Sequence, residues 1–230
     1  MKNNKILKIA HRGAKGHIAE NTLASFRKAI DMGCDGIELD VHLSSDGEVV
    51  VIHDESVDRT TDGKGFVKEM SLPELRRLKI EKEHRIPTLS EVIDMTNENC
   101  LINIEIKASE ATKPVIKLIA KYVSKKNRKY AQFLVSSFDW EALKEIRESN
   151  PEIPLGVLTQ TDLDLAIGFS EFISAETIHP YFHLLTAENT KQMQQKGLRV
   201  FPWTVNERED IERLKSFNVS GIISDFPERL

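Results

Sequence analysis

The chain has 230 residues, of which 40% are hydrophobic and 30% are charged, and its formal net charge is −4. This length fits one large domain over residues 1–230, and the composition is typical of a soluble globular protein. The mildly acidic balance argues against a nucleic-acid partner, and two cysteines exclude a disulfide framework. No segment approaches about 18 uncharged apolar residues and no secretory leader is recognisable, so we expect a cytoplasmic protein without a membrane partner.

Eight short apolar runs, separated by helical patterns, predict the strands of a parallel sheet. They lie at residues 6–10, 36–41, 101–106, 132–136, 154–158, 172–174, 198–203 and 220–223. Between them, Thr22, Asp139 and Thr186 are placed to begin helices, and Thr88 with Glu91 forms a capping-box pattern. Alternation of strand and helix is typical of a doubly wound sheet or a barrel, and eight units favour the (β/α)8 TIM barrel.

One further apolar run, at residues 48–53, follows the second strand after a turn of only a few residues. A parallel neighbour needs a much longer crossover, so this run predicts an antiparallel hairpin partner of the second strand. The chain then turns polar over residues 54–86, with a small capping-box helix starting at Ser71. We interpret this segment as a small insertion over the mouth of the barrel.

Acidic side chains interrupt two of the predicted strands. Glu38 and Asp40 share one face of the second strand, and Glu105 shares a face with Lys107 on the third. In a barrel these acids converge at the carboxyl ends of neighbouring strands, where barrel active sites lie. Oxygen ligands without cysteine suit Mg²⁺, Ca²⁺ or Mn²⁺ rather than zinc. The alternative, a structural salt bridge for each acid, stays open at this point.

Two histidines end strands near these acids. His11 and Arg12 close the first strand before Gly13, and His53 ends the hairpin strand, which we expect to bring it near Glu38. A histidine can transfer protons near neutral pH, although a structural histidine at a strand end is common. An arginine offers a planar fork to phosphate. Acids around a cation, basic groups for phosphate and an imidazole pair together predict cleavage of a phosphodiester.

Several longer motifs resemble one family in order and spacing. They are HRGAKGHIAENTLASF, GCDGIELDVHLSSDGEVVVIHDESVDRTTDGKG, IPTLSEVID, NIEIK, SSF, FPWTVN and GIISDFP. Together they resemble the glycerophosphodiester phosphodiesterase family, which implies a (β/α)8 barrel of the phospholipase-C-like type. The resemblance implies metal ligands at Glu38, Asp40 and Glu105, an acid–base pair at His11 and His53, phosphate contacts at Arg12 and Lys107, the E-N-T acid at Glu20 and a glycerol-side aromatic at Trp203. One departure is Ala19, where the family usually has proline.

We therefore expect metal-dependent hydrolysis of a small-molecule glycerophosphodiester to sn-glycerol 3-phosphate and an alcohol. One divalent cation, Mg²⁺ or Ca²⁺ with Mn²⁺ as a third candidate, would serve as cofactor. The alternatives are a lysophospholipase-D-like activity on lipids and a non-catalytic phosphate-binding barrel. The order of the two histidines, the attacking group (water or a glycerol hydroxyl), the head group and the oligomeric state stay open at this level.

Overall fold

A nearly closed barrel of parallel strands dominates the computed structural model, which describes residues 5–230. Its eight parallel strands are β1 (Leu7–Ala10), β2 (Gly36–Leu43), β4 (Leu101–Ile106), β5 (Phe133–Ser137), β6 (Leu155–Thr159), β7 (Thr177–Pro180), β8 (Arg199–Val200) and β9 (Gly221–Ser224). They pair in the order β8-β7-β6-β5-β4-β2-β1-β9. Backbone bonds across the remaining gap complete the circle, since Ser220 donates to Val200 and Ile223 donates to Pro202, both at 3.0 Å. The predicted (β/α)8 barrel is confirmed.

Helices connect the strands. They are α1 (Leu23–Asp31), α2 (Leu72–Leu75), α3 (Leu89–Met95), α4 (Thr112–Lys126), α5 (Trp140–Ser149), α6 (Leu163–Phe172), α7 (Ala187–Gln195) and α8 (Arg208–Ser216). Short 3-10 helices lie at Val67–Glu69, Ser109–Ala111, Tyr130–Gln132, Phe182–Leu184 and Pro227–Arg229. Thr22, Thr88, Asp139 and Thr186 each accept a backbone N–H of the first turn, so the predicted helix starts are confirmed.

One predicted strand is wrong. Residues 172–174 end α6 instead, where Ile173 donates its backbone N–H to Phe169 and Phe172 is 70% exposed. The strand in question is β7, a few residues further along. Its sequence, TIHP, contains a histidine and a proline, so it lacks the run of apolar residues that predicts a strand. Proline is rare in strand interiors, and here it is the last residue of the strand.

The hairpin and the insertion lie as predicted. Strand β3 (Val49–Val51) pairs antiparallel with β2, with Val51 opposite Val41. The insertion packs against β3 through an apolar cluster of its own, whose buried members are Val50, Ile52, Val57, Val67, Leu75, Ile80 and Ile86. Because these contacts are buried, the insertion is a packed structure that holds polar loops beside the barrel mouth.

The barrel interior is filled at its lower end. Ile9, Leu134, Phe201 and Ile223 form a buried cluster there, as expected for the layered side chains of a small barrel. The larger apolar cluster lies between the strands and the surrounding helices. Among residues 5–230, no helix combines the length and the apolar character that crossing a membrane requires.

Candidate active site

Three carboxylates meet at the carboxyl ends of two adjacent strands. Glu38 and Asp40 point to the same side of β2, and Glu105 of β4 is the register partner of Asp40. One oxygen from each of the three lies within 4.8 Å of the oxygens of the other two. Glu38 is 3% exposed and Asp40 is 1% exposed, so the cluster is sunk into the barrel rather than placed on its rim.

The partners of Glu38 and Asp40 neutralise them only in part. The backbone N–H of Arg12 donates to Glu38 at 2.8 Å, while Glu38 Oε1 is buried without a hydrogen-bond partner among the described residues. Asp40 accepts from Asn21 Nδ2 at 2.8 Å and lies 3.3 Å from Arg12 Nε. Burial and the nearby charge of Asp40 raise the pKa of Glu38 well above its usual value, against the effect of Arg12.

Glu105 shows the same shortage of positive charge. Lys107 Nζ donates to its Oε1 at 2.8 Å, yet burial and the charge of Asp40 still raise the pKa of Glu105 to about 7. Burial alone would lower the pKa of Lys107, but Glu105 and Asp40 outweigh it and raise that pKa, so the ammonium stays charged. Three acids facing two basic side chains, with one oxygen unpartnered, fit a hard divalent cation better than a closed set of salt bridges.

A sharp turn after β1 delivers two groups to this cluster. Arg12 adopts a left-handed backbone with φ of 52°, which aims its N–H at Glu38. Gly13 follows with φ of 80°, and a Cβ at this position would lie 2.8 Å from the carbonyl carbon of Ser25. Only glycine fits that approach, so the glycine of the H-R-G sequence is a requirement of the turn. The turn leaves His11 facing the barrel mouth.

His11 is held by a carboxylate that directly follows the last strand. Its Nδ1 donates to Asp225 Oδ1 at 2.7 Å, and Asp225 Oδ2 accepts from Asn206 Nδ2 at 2.9 Å. Because an ionised carboxylate only accepts, the proton of His11 sits on Nδ1 and Nε2 carries a free lone pair. Burial lowers the pKa of His11 although Asp225 raises it, so the neutral imidazole is favoured.

His53 is held in the same way on the other side of the cluster. Its Nδ1 donates to Asp54 Oδ1 at 2.6 Å, and its Nε2 lies 3.3 Å from Lys107 Nζ. His42 Nε2 donates to the backbone carbonyl of His53 at 3.0 Å, which fixes the end of the hairpin. The sequence predicted His53 near Glu38, and the hairpin register places its imidazole beside Lys107 and the charge of Asp40. Burial lowers the pKa of His53.

Glu20 faces basic side chains of the protein. Its carboxylate accepts from Arg12 Nη1 at 2.9 Å and from Arg59 Nη2 at 2.7 Å, and Lys15 Nζ lies 3.7 Å away. Burial opposes ionisation, but the two arginines outweigh it and lower the pKa of Glu20 to about 2. Glu20 therefore sets the position of Arg12 within the mouth.

Aromatic side chains line the opposite half of the mouth. Trp203 lies edge-on to Phe138, with ring centroids 5.5 Å apart, and 5.8 Å from the ring of Tyr181. Its indole N–H donates to the carbonyl of His179 at 2.8 Å, which fixes the ring plane. The mouth is thus charged on the β1, β2 and β4 side and aromatic on the β5, β7 and β8 side.

A cavity of about 380 Å³ adjoins the charged half, between the hairpin, the insertion and the loop after β4. Lys107 and His42 line its inner end. Phe66 of the insertion, 43% exposed, lines it together with Glu55 and Glu110. The cavity therefore opens on the side of the site where His53 lies.

Four contact residues were not assigned a site role from the sequence. Asp225, Asp54 and Asn21 bond directly to His11, His53 and Asp40, and Arg59 bonds to Asp54 and Glu20. Two signals were present: Asp54 directly follows His53, and Asp225 follows the last strand, which pairs with the strand that ends at His11. Asn21 and Arg59 lie within the two longest motifs of the family resemblance, but no strand or helix pattern indicates their contacts, because loop conformation brings them together.

Comparison with known proteins matches this geometry to one family. The profile of the Glycerophosphoryl diester phosphodiesterase family matches residues 11–229. A glycerophosphodiester phosphodiesterase of Caldanaerobacter subterraneus subsp. tengcongensis is 39% identical, over 98% of this chain and 96% of that protein. A Thermotoga maritima glycerophosphodiester phosphodiesterase has a similar structure (TM-score 0.84, 31% identity, 97% of this chain and 96% of that one). An Oleispira antarctica phosphodiesterase in complex with the product sn-glycerol-3-phosphate also has a similar structure (TM-score 0.87, 27% identity, 96% of this chain and 93% of that one). The chain therefore belongs to the glycerophosphoryl diester phosphodiesterase family and is an enzyme that hydrolyses phosphodiesters.

Proposed function

We propose that the enzyme hydrolyses small-molecule glycerophosphodiesters to sn-glycerol 3-phosphate and an alcohol, with one divalent cation and with His11 and His53 as the acid–base pair. The observation that carries this proposal is the pair of imidazoles on either side of the carboxylate cluster, each anchored through Nδ1 at 2.7 Å and 2.6 Å. In both rings Nε2 faces the site, and His53 Nε2 lies 3.3 Å from Lys107 Nζ. The product complex of the Oleispira antarctica relative supports the same reaction.

Glu38, Asp40 and Glu105 are the residues that would hold the cation. Mg²⁺ and Ca²⁺ are the leading candidates, with Mn²⁺ as a third, because every donor is a carboxylate oxygen. When bound, such a cation acts as a Lewis acid that draws charge from the phosphoryl oxygens. The raised pKa of Glu38 and of Glu105 supports this assignment, since a divalent ion supplies the positive charge that the cluster lacks.

Arg12 and Lys107 bind the phosphate. Both remain charged, because neighbouring carboxylates raise their pKa against the opposing effect of burial. Arg12 is fixed by Glu20, and Lys107 is fixed by Glu105, at 2.9 Å and 2.8 Å. These two positively charged side chains are held in place before the substrate arrives, so they need little reorganisation during the reaction. Such electrostatic preorganisation lowers the activation barrier.

We assign His11 as the base and His53 as the acid. His11 Nε2 accepts the proton of the attacking group, either water or a glycerol hydroxyl, as its oxygen bonds to phosphorus. The bond between phosphorus and the departing alcohol oxygen breaks, and that oxygen takes a proton from His53 Nε2. Attack by water gives sn-glycerol 3-phosphate directly, whereas attack by a glycerol hydroxyl gives a cyclic phosphate, which a water then opens to sn-glycerol 3-phosphate. The arriving phosphodiester is negatively charged and favours protonated His53, which offsets the burial that lowers its pKa.

The glycerol and the departing alcohol of the substrate then contact opposite sides of the mouth. Trp203, with Phe138 and Tyr181 beside it, packs against the carbon side of the glycerol. The departing alcohol occupies the cavity beside Lys107, which lies on the side of His53. This placement is the reason for giving the acid role to His53. The cavity is open to solvent at Phe66, so it admits alcohols of several sizes.

A turnover assay with glycerophosphocholine and glycerophosphoethanolamine, with and without EDTA, tests the proposal. We expect release of sn-glycerol 3-phosphate from both diesters, loss of turnover after chelation and recovery when Mg²⁺ or Ca²⁺ is added back. A parallel arm with lysophosphatidylcholine micelles separates the alternatives. Turnover of the lipid alone would establish a lysophospholipase-D-like enzyme, and binding without products would establish a non-catalytic barrel.

A further inference from the structure

Arg59 is a residue of the insertion that reaches both sides of the charged half of the mouth. Its Nε donates to Asp54 Oδ2 at 2.7 Å and its Nη2 donates to Asp54 Oδ1 at 3.0 Å. The same Nη2 donates to Glu20 Oε1 at 2.7 Å. The guanidinium thus grips one carboxylate with two bonds and a second carboxylate with one.

Each of those carboxylates fixes a residue of the site. Asp54 accepts from His53 Nδ1 at 2.6 Å, and Glu20 accepts from Arg12 Nη1 at 2.9 Å. The bonds form one continuous path, His53–Asp54–Arg59–Glu20–Arg12, across the mouth. The path joins the proposed proton donor to the proposed phosphate-binding arginine, although the two come from different loops.

The geometry of the Asp54 contact matters most. A planar guanidinium that meets both oxygens of a carboxylate fixes the rotation of that carboxylate, which a single contact does not. The plane of Asp54 in turn sets the direction of the His53 ring. Without Arg59, Asp54 keeps only its bond to His53, and both side chains can turn together away from the phosphate.

A structural role in folding is the competing explanation, and magnitudes argue against it. The side chain of Arg59 is 48% exposed, although its partner Glu20 is only 10% exposed, so loss of Arg59 has a limited effect on stability. A shift of about 1 Å in a reacting group, by contrast, can lower a rate by about 100-fold. Loss of Arg59 is therefore expected to lower turnover strongly and to destabilise the fold no more than loss of the Glu20 charge does.

We propose that Arg59 is a positioning residue, which sets the imidazole of His53 relative to the guanidinium of Arg12. This inference rests on the function proposed above. The insertion then has a second role besides bordering the cavity, because its Arg59 aligns the proton donor His53 with the phosphate-binding Arg12. Arg59 itself need not touch the substrate.

The test compares Arg59→Ala and Arg59→Lys with the control Arg76→Ala. Arg76 belongs to the same insertion, is 44% exposed and pairs with one carboxylate, Glu91, at 2.9 Å. We expect Arg59→Ala to lower kcat on glycerophosphocholine by about 10- to 100-fold, with KM within about threefold and a melting temperature at least as high as that of Glu20→Gln. Arg59→Lys should recover only part of the loss, since lysine lacks the fork. Added guanidinium at millimolar concentration should restore Arg59→Ala and leave Arg76→Ala unaffected.

The outcomes separate cleanly. Equal kcat for Arg59→Ala and Arg76→Ala would overturn the inference while leaving the proposed reaction intact. A melting temperature of Arg59→Ala below that of Glu20→Gln, or complete restoration of kcat by Arg59→Lys, would also overturn it, because a structural or purely charge-based role would then suffice. Failure of the unmodified enzyme to release sn-glycerol 3-phosphate would refute the proposed function itself.

Discussion

Replacing Asp225 by asparagine tests whether the carboxylate sets the protonation of His11. Asp225 accepts two hydrogen bonds, from His11 Nδ1 at 2.7 Å and from Asn206 Nδ2 at 2.9 Å. The orientation of Asn206 is fixed, because its Oδ1 accepts the backbone N–H of Asp225 at 3.0 Å and the hydroxyl of Ser224 at 3.1 Å. An asparagine at this position has one accepting oxygen for two donors.

The variant must therefore reverse or lose one of these bonds. If the new carbonyl faces Asn206, its NH₂ group faces His11 Nδ1, and the imidazole proton moves to Nε2, where it blocks the base. If the carbonyl faces His11, two NH₂ groups meet at Asn206. In either case a hydrogen bond to a charged group, worth about 1.5–3 kcal/mol, is removed. At about 1.4 kcal/mol for each factor of ten, this corresponds to a 10- to 150-fold decrease in kcat.

The assay is steady-state hydrolysis of glycerophosphocholine at saturating divalent cation, so that cation affinity does not enter. Asp210→Asn is the matched control, because Asp210 is a partly buried carboxylate of α8 that bonds to Arg213 at 3.1 Å. We expect the control to retain full activity. A kcat for Asp225→Asn within twofold of the unmodified enzyme would show that the Nδ1 contact does not govern the base.

Three other changes probe the remaining parts of the site. Glu105→Gln removes one anionic ligand and should weaken Mg²⁺ or Ca²⁺ binding by at least about tenfold, measured by calorimetry; unchanged affinity would remove Glu105 from the ligand set. His53→Ala should lower kcat by about 10²- to 10⁴-fold with little change in KM, and full activity at saturating substrate would exclude it as the acid. Glu20, with its pKa lowered from 4.5 to about 2 against the effect of burial, should stabilise the fold above pH 4.5 by about 3 kcal/mol at most. That contribution is lost as pH falls from 4.5 towards 2. Urea titrations should therefore show that the difference in unfolding free energy between the unmodified chain and Glu20→Gln shrinks over this pH range. A constant difference would contradict the assigned ion pairs.

The convergence of the three acids was predictable because strand geometry alone fixes it. Residues two apart on a strand share a face, and parallel neighbours end at the same edge, so Glu38, Asp40 and Glu105 had to meet once the strands were assigned. The hairpin was predictable for a similar reason, since a short turn permits only an antiparallel partner. These inferences need local sequence and a fold class, and nothing about loops.

The parts that escaped prediction depend on distant loops or on untypical strands. Asp225 meets His11 across 214 residues of sequence, and Arg59 meets Glu20 across 39. No periodicity reports such a contact. Strand β7 was misplaced because TIHP lacks a β-rich run, and its position comes from pairing with β6 and β8 on either side. Tertiary context decided these cases against local pattern.

The filled lower end of the barrel has a consequence for traffic through the site. Ile9, Leu134, Phe201 and Ile223 are each at most 2% exposed, so among residues 5–230 these side chains close the amino end of the barrel. Substrate and products therefore exchange with solvent at the carboxyl end, through the mouth or through the cavity that opens at Phe66. In the reaction proposed above, a phosphomonoester product would occupy the same site between Arg12 and Lys107 as the phosphate of a new diester. We therefore expect sn-glycerol 3-phosphate to inhibit turnover in competition with the diester.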